Sequence, residues 1–447
     1  MKVMKYFLVF YCIVSQLSNL FSQSDSSKLE KQKIKTGFSF GGVPAVAYDS
    51  DQGFRYGLIL NVFHFGDGSN YPNYKHSLYL EWSRTTKGGG TNNIIYDSKF
   101  LIPNVRFSSE LSYNTEQALD FYGINGYRAF YNSDLEDQEK PGINHSRMYY
   151  RLDRKLLRMK ADFTGKITEK SLFWYGGLTH YGIELDTVDI AKLNKGVDAA
   201  DKLPYIGGGL YQQYLDWDLI PSSEAKGGNS NLLRLGLIFD TRDTEASPGK
   251  GVFSDAQLIV APGFIGNKIA YSRLALTFKQ YVPILFRKLT FAYRASYQSK
   301  LTGSTPFYML PLVMNMAPAS DRDGLGGAKT IRGILRNRIV GEDFVFTNFE
   351  LRYKVFQKIV FNQNVSGTFA PFFDSGLILK EYKLKTSASP EANTWLNNGE
   401  SESIHSSYGF GLYGALNENF IVAINYGRTL DKRDGTKGLY INIGYIF

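Results

Sequence analysis

Cysteine is almost absent from this 447-residue chain, which has one, Cys12. Bulky Phe10 and Tyr11 precede it where a lipid-modified cysteine would follow small residues, so lipidation is not expected. If the segment around Cys12 is removed on export, disulfides, thiolate metal sites and cysteine nucleophiles are excluded together. Long hydrophobic runs are also missing. After the first residues no stretch approaches the roughly 18 apolar residues of a membrane-spanning helix. Charge is not blocked into tracts: the net +9 is spread along the chain. That spread fits solvated loops, a polar lumen and contact with anionic lipid headgroups, and gives little reason for a nucleic-acid partner. Catalytic sets are lacking as well. His64, His76, His145, His180 and His405 stand in no Gly-x-Ser-x-Gly or His-Glu-x-x-His context, and no spacing singles out a pair of carboxylates. Neither an enzyme nor a metal or cofactor site is expected.

What is present begins with a secretory pattern: Lys2 and Lys5, an apolar run from Tyr6 to Val14, then small and polar residues around Ser18 to Ser22. Residues 1–22 are expected to be a signal peptide and 23–36 a short polar periplasmic segment, too small for a domain of its own. Aromatics make up 15% of the chain, with 31 Tyr and 32 Phe, and there are 44 Gly against 14 Pro. A membrane β-barrel has this mixture, because its inward-facing positions are polar while aromatic girdles mark the two interfaces. The alternation agrees. Leu289, Phe291, Tyr293, Ala295 and Tyr297 share one face, with Thr290, Ala292, Arg294 and Ser296 on the other. Val345, Thr347, Phe349, Leu351, Tyr353 and Val355 likewise oppose Asn348, Glu350, Arg352 and Lys354. A Lys or Arg at the bilayer midplane costs about 2–4 kcal/mol on the lipid face, so these charges must point inward. Leu233, Leu235, Leu237 and Phe239 repeat the pattern against Arg234 and Asp240. In the last segment Leu439, Ile441, Ile443, Tyr445 and Phe447 are expected on one face. Gly- and Asn-rich turns separate the strands, and two long loops are expected, 132–144 and 186–229, the second with a short helix near Val188–Lys195. The reading for 37–447 is therefore an all-β, transmembrane antiparallel barrel.

Four segments in the C-terminal half carry a more specific signal. Asp240-Thr241-Arg242-Asp243 followed by Pro248-Gly249-Lys250-Gly251 is a turn motif, and Ile331-Arg332-Gly333-Ile334 follows a glycine-rich run, Gly324 to Gly327. Asn348-Phe349-Glu350-Leu351-Arg352 and Phe372-Phe373-Asp374-Ser375-Gly376 are strand motifs whose acids point inward by parity. Together they resemble the BamA/TamA-like outer-membrane assembly superfamily, the bacterial surface antigen barrels. The resemblance implies sixteen strands, long extracellular loops and one loop folded into the lumen. About 410 residues from Thr36 onward leave about 26 for each strand and connection, against about 9–11 needed to cross. It also implies a lock in which Arg332 and Gly333 at the loop tip meet Glu350, Asp374 and Gly376. The family usually has an aromatic after Arg-Gly. Here Ile334 stands in that place, so the charge carries over and a stacking contact is no longer implied. Val43 to Tyr48 and the turn Asp49 to Gly53 resemble the family's first hairpin, and Tyr445 with Phe447 resembles the terminal signal of outer-membrane barrels. The POTRA domains of the best-known members have no counterpart in 23–36.

An outer-membrane location follows from this reading, with lipid and periplasmic or outer-membrane proteins as partners. Three functions fit: assembly, insertion or translocation of polypeptides with those partners; a structural or surface-interaction barrel of a larger complex; or a passive pore. The Arg332 cluster favours the first over the last, because a pinned lumen loop obstructs free diffusion.

Overall fold

In a computed structural model of the chain the period-two alternation becomes one continuous antiparallel sheet. Residues 35–447 are described except 51, 70–73, 138, 141–145, 169–170, 286–287, 317–322, 361–362, 386–388, 397–398 and 417–419. The expected signal peptide, nearly all of the 23–36 segment, His145 and part of the 132–144 loop lie outside the described residues. The strands are β1 (Phe38–Pro44), β2 (Ala47–Asp49), β3 (Gly53–His64), β4 (His76–Thr85), β5 (Gly89–Ile102), β6 (Val105–Asp120), β7 (Arg151–Lys166), β8 (Leu172–Asp186) and β9 (Gly227–Asp240). They continue with β10 (Gly251–Ala261), β11 (Tyr271–Leu285), β12 (Leu289–Gly303), β13 (Asp343–Val360), β14 (Gln363–Lys380), β15 (His405–Leu416), β16 (Phe420–Thr429) and β17 (Lys437–Ile443). Each strand from β3 onward pairs with the next, and β17 returns to β2, so the sheet closes. β1 and β2 both lie along β3, one at each end, and form a single interrupted strand. The wall therefore has sixteen positions, as the resemblance implied.

Closure removes the exposed edge that hydrocarbon does not tolerate. The alternation then sorts side chains by solvent. On β12 and β13, Thr290, Ala292, Arg294, Asn348, Glu350 and Arg352 are buried inside, while Phe349, Leu351 and Tyr353 face out. On the outside, aromatic rings run across neighbouring strands, with Phe291 and Phe349 stacked at 6.3 Å and Phe369 beside Phe410 at 6.1 Å.

The two ends differ. The longest connections, 121–150, 187–226, 304–342 and 381–404, all leave the same end, whereas at the other end β5 and β6, β7 and β8, β11 and β12, and β13 and β14 follow one another within a few residues. Long loops on one rim are the arrangement of an extracellular face. These loops build the main apolar core. Phe121, Tyr122, Tyr149, Tyr150, Tyr211, Tyr214, Trp217 and Phe307 pack together as a dome over the lumen. The expected helix near 188–195 is α1 (Ile190–Leu193), capped by Asp189 accepting from Lys192 N. α2 (Gly209–Asp216) and α3 (Pro390–Leu396) complete the dome. The 381–404 connection was not singled out from sequence, because only its packing against the other loops marks it.

A closed ladder resists local unfolding. The purified protein is expected to remain soluble only in detergent and to migrate on a denaturing gel at different positions boiled and unboiled; recovery as a soluble, heat-insensitive species contradicts the barrel.

Candidate functional site

The connection 304–342 folds back into the lumen, and Arg332 is its deepest charge, 0% exposed. Glycine permits the approach. Gly333 has φ 93°, and a Cβ there would meet the backbone of Gly427 on β16 at 2.7 Å. At Gly376 on β14, the first atom a Cβ would meet is Ile331 Cδ1, at 2.4 Å.

All three nitrogens of the Arg332 guanidinium are engaged. Nε and Nη2 donate to the two oxygens of Asp374 at 2.8 and 2.9 Å, a bidentate pair. Nη1 donates to Glu350 Oε1 at 2.6 Å and Asn425 Oδ1 at 3.1 Å. The main-chain N–H of Arg332 adds a bond to Asp374 Oδ2 at 3.1 Å. Stacking comes from a residue that the motif alone does not single out: the guanidinium carbon lies 3.5 Å from the ring centroid of Phe372. Glu350 is shared, its second oxygen accepting from Arg352 Nε at 2.7 Å. Two cations thus face two anions. That balance matters, because an ion pair out of water is tolerable only when each charge is matched and its remaining donors satisfied.

Two further arginines pin the same loop and were not picked out from sequence. Arg336 bonds Asp323 on the loop and Glu116 on β6, and both acids also bond Arg154 of β7. Burial alone would raise the Asp323 carboxyl, but Arg154 and Arg336 outweigh it and hold the group well below the usual carboxylate range. The stabilisation from this depressed group is complete above the ordinary carboxylate range, declines as pH drops below that range and is gone once pH has fallen through the folded value. Arg338 gathers main-chain carbonyls, those of Gly126, Ala129 and Arg433 at 2.8, 3.2 and 2.8 Å, and so ties the lumen loop to the 121–150 dome loop and to the β16–β17 connection. The signal available was the spacing Arg332, Arg336, Arg338 in a glycine-rich stretch; apart from Asp323 on the same loop, the partners of Arg336 and Arg338 lie more than 200 residues away or on another loop.

The turn motif is a separate unit at the opposite end. Arg242 grips Asp240 at 3.0 and 2.8 Å and lies over Phe253 at 4.6 Å. Asp243 accepts from Gly249 N at 3.0 Å, and the turn that contains Pro248 closes between Thr241 N and Val252 O, next to Gly251. These bonds join β9 to β10.

The end of the chain departs from the alternation. β17 stops at Ile443, and Gly444 takes φ 81°. Tyr445 and Phe447, expected outside with Leu439 and Ile443, turn into the lumen, where Phe447 packs with Tyr281, Ala292 and Ile446. Parity holds only while the backbone stays extended, and Arg352, 4.1 Å from the Tyr445 ring centroid, offers these aromatic faces a cation.

The seam between first and last strands is short. Tyr440 pairs with Asp49 and Ile441 with Tyr48, and Ser50 adds bonds to Leu439. Pro44 lies within β1, opposite Leu58, rather than before the strand. Ala45 N–H bonds Gly57 O, so the Pro44 nitrogen beside it is directed away from β3, toward the seam, where it has no proton to donate. Inside this region lies a cavity of about 330 Å³ bordered by Val46, Arg55, Glu81, Lys329 and Ile443. Among the described residues no group of three His, Cys, Asp or Glu side chains is placed to hold a metal ion.

A closed sixteen-stranded antiparallel barrel with an arginine-pinned lumen loop defines an outer-membrane barrel of the BamA-like class. The chain belongs to the Omp85 superfamily, whose domain matches residues 76–447. Its fold is similar to that of BamA from Haemophilus ducreyi lacking POTRA domains 1–3, with 15% identity, TM-score 0.53, 92% of this chain and 71% of that chain covered. It is also similar to CdiB from Escherichia coli, at 10% identity and TM-score 0.54, over 91% of this chain and 62% of that one. The chain thus spans less than two thirds of the CdiB chain. No curated protein sequence matches it.

Removing either partner of the buried pair leaves an uncompensated charge, at a cost of about 3–5 kcal/mol. Arg332→Ala and Asp374→Ala are each expected to lower the unfolding temperature and expose the lumen loop to protease. The double variant is expected to lose less than the sum, and strictly additive losses would show that the pair is not coupled.

Proposed function

We propose that this barrel takes part in the assembly and insertion of outer-membrane proteins, or in polypeptide translocation across that membrane, acting with partner proteins and without catalysing a covalent reaction. The observation that carries the reading is the incomplete seam. β17 meets the first strand only along β2, while β1 is laddered to β3 and has Pro44 directed toward the gap. A strand edge with open N–H and C=O groups is a template on which an incoming chain adds its own strands. Elsewhere in the wall ladders are long, with β13 and β14 paired from Asp343–Lys380 to Val360–Gln363. The seam is therefore the cheapest place to open. Membership of the superfamily, and similarity to BamA, support the same reading.

A structural or surface-interaction barrel is the second reading, favoured by the aromatic dome, which gives the outer rim a built surface of its own. A passive pore fits less well, since Arg332, Arg336 and Arg338 all hold the loop that occupies the lumen.

Cysteine pairs across the seam test the proposal. Tyr48→Cys with Ile441→Cys sits in paired register, and Val46→Cys with Ile443→Cys lines the seam cavity. Oxidation is expected to stop outer-membrane protein assembly in cells that depend on this protein, and reductant to restore it. Full assembly with the cross-link demonstrably formed would instead identify a static scaffold.

A further inference from the structure

The lumen holds a second set of bonds that connects the pinned loop to the end of the last strand. At Gly444 the N–H still bonds Ile421 O at 2.8 Å, so the turn inward begins at the last bond of the β16–β17 ladder. The Tyr445 ring then stacks on Tyr413 at 4.3 Å, beneath Arg352. The main-chain oxygen of Phe447 accepts from Arg352 Nη2 at 3.0 Å, and that of Ile446 accepts from Arg294 Nη1 at 3.3 Å.

Both arginines also hold the loop. Arg294 Nη2 donates to Lys329 O at 3.2 Å, next to the Arg332 motif. Its Nε donates to Asn348 Oδ1 at 2.8 Å, and Asn348 Nδ2 donates to Thr330 O at 2.7 Å. Arg352 reaches the loop through Glu350, whose other oxygen accepts from Arg332. Tyr413 closes the circuit, since its hydroxyl donates to Glu350 Oε1 at 3.2 Å while its ring carries Tyr445. Arg294 therefore donates directly to both moving parts, and Arg352 donates directly to the segment and to the loop through Glu350; a guanidinium presents its donors in a rigid fork.

We propose that Arg294 and Arg352 are positioning residues that make docking of the lumen loop and inward parking of residues 444–447 one coupled step. The geometry gives the consequence. Continuing the β17–β2 register past Ile443 would bring Tyr445 opposite Pro44, so a parked Tyr445 is withdrawn from any ladder with β1. While the loop is docked the seam stays short; when the loop leaves, the segment is free to swing out and lengthen it. The role of this coupling in the protein's work rests on the seam being its working edge, as proposed above.

The coupling is measurable in the purified, detergent-solubilised barrel with no client present, so its failure is distinct from failure of the seam cross-link in cells. Two single-cysteine reporters, Lys329→Cys on the loop and Ile446→Cys on the segment, are built with Cys12→Ser and labelled by a hydrophilic maleimide. Gly444→Val strains the inward turn, because a β-branched residue disfavours φ 81°. It is expected to accelerate labelling at position 329 about tenfold, and Asp374→Asn, which weakens loop docking, to accelerate labelling at 446 by a similar factor. If either variant fails to show the heat-modifiable migration of a folded barrel, Arg294→Lys replaces it: a lysine keeps the charge but lacks the fork that holds Ile446 O and Lys329 O together. That variant is expected to accelerate both reporters. Acceleration confined to the element carrying the substitution, with less than about a twofold change on the other, overturns the proposal, as does a folded Arg294→Lys barrel in which neither reporter changes.

Discussion

In hydrocarbon no backbone N–H or C=O can turn to water, and the rest of this molecule is arranged around that constraint. It requires a closed ladder, so β3 to β17 pair in unbroken sequence and the chain's two ends must meet. The meeting is the weakest part of the closure. A proline without a donor lies on one side, and on the other the strand leaves the wall at Gly444. Both features reduce the bonds a seam can make, and both are built from residue types that cannot be replaced freely without restoring them. The place where the constraint is least obeyed is also where the proposed work of the barrel is located.

Inside the wall the problem is reversed. The lumen is lined by charges directed there because the lipid face excludes them, yet the loop fills the space in which water would solvate them. The solution is pairing. Arg332 with Asp374, Glu350 between Arg332 and Arg352, and Arg336 between Glu116 and Asp323 leave each of these three cations facing an anion, while Arg294 and Arg338 are held largely by main-chain carbonyls. Such pairs add little net stability over apolar packing but are costly to break singly. Their effect is to fix one position of the loop. Apolar packing, by contrast, is concentrated in the dome and contributes the conventional core that a thin barrel wall has no room for.

Much of this was legible beforehand. The alternation from Leu289 to Tyr297 and from Val345 to Val355 assigned inner and outer faces, because a period of two is enforced by strand geometry and by the cost of placing Arg or Lys in lipid. Motif likeness brought Arg332, Glu350 and Asp374 together, and they meet within 2.6 to 2.9 Å. Other partners were not legible. Phe372 beneath Arg332, Glu116 beside Arg336 and the carbonyls around Arg338 come from strands and loops whose relative positions depend on closing the whole barrel.

The last residues mark the boundary between the two kinds of knowledge. By itself the sequence determined that the chain is a barrel, which side of each strand meets lipid, and which charges must find partners inside, since each follows from local periodicity and the solvation of single residues. Tertiary structure alone decided where Tyr445 and Phe447 go. Their alternation with Ile443 predicts the lipid face, but a glycine at φ 81° ends the alternation, and Arg352, Arg294 and Tyr413, arriving from three other strands, offer bonds and stacking that lipid does not. Periodicity describes a strand only while it remains one, and whether it remains one is settled by what the rest of the barrel places beside it.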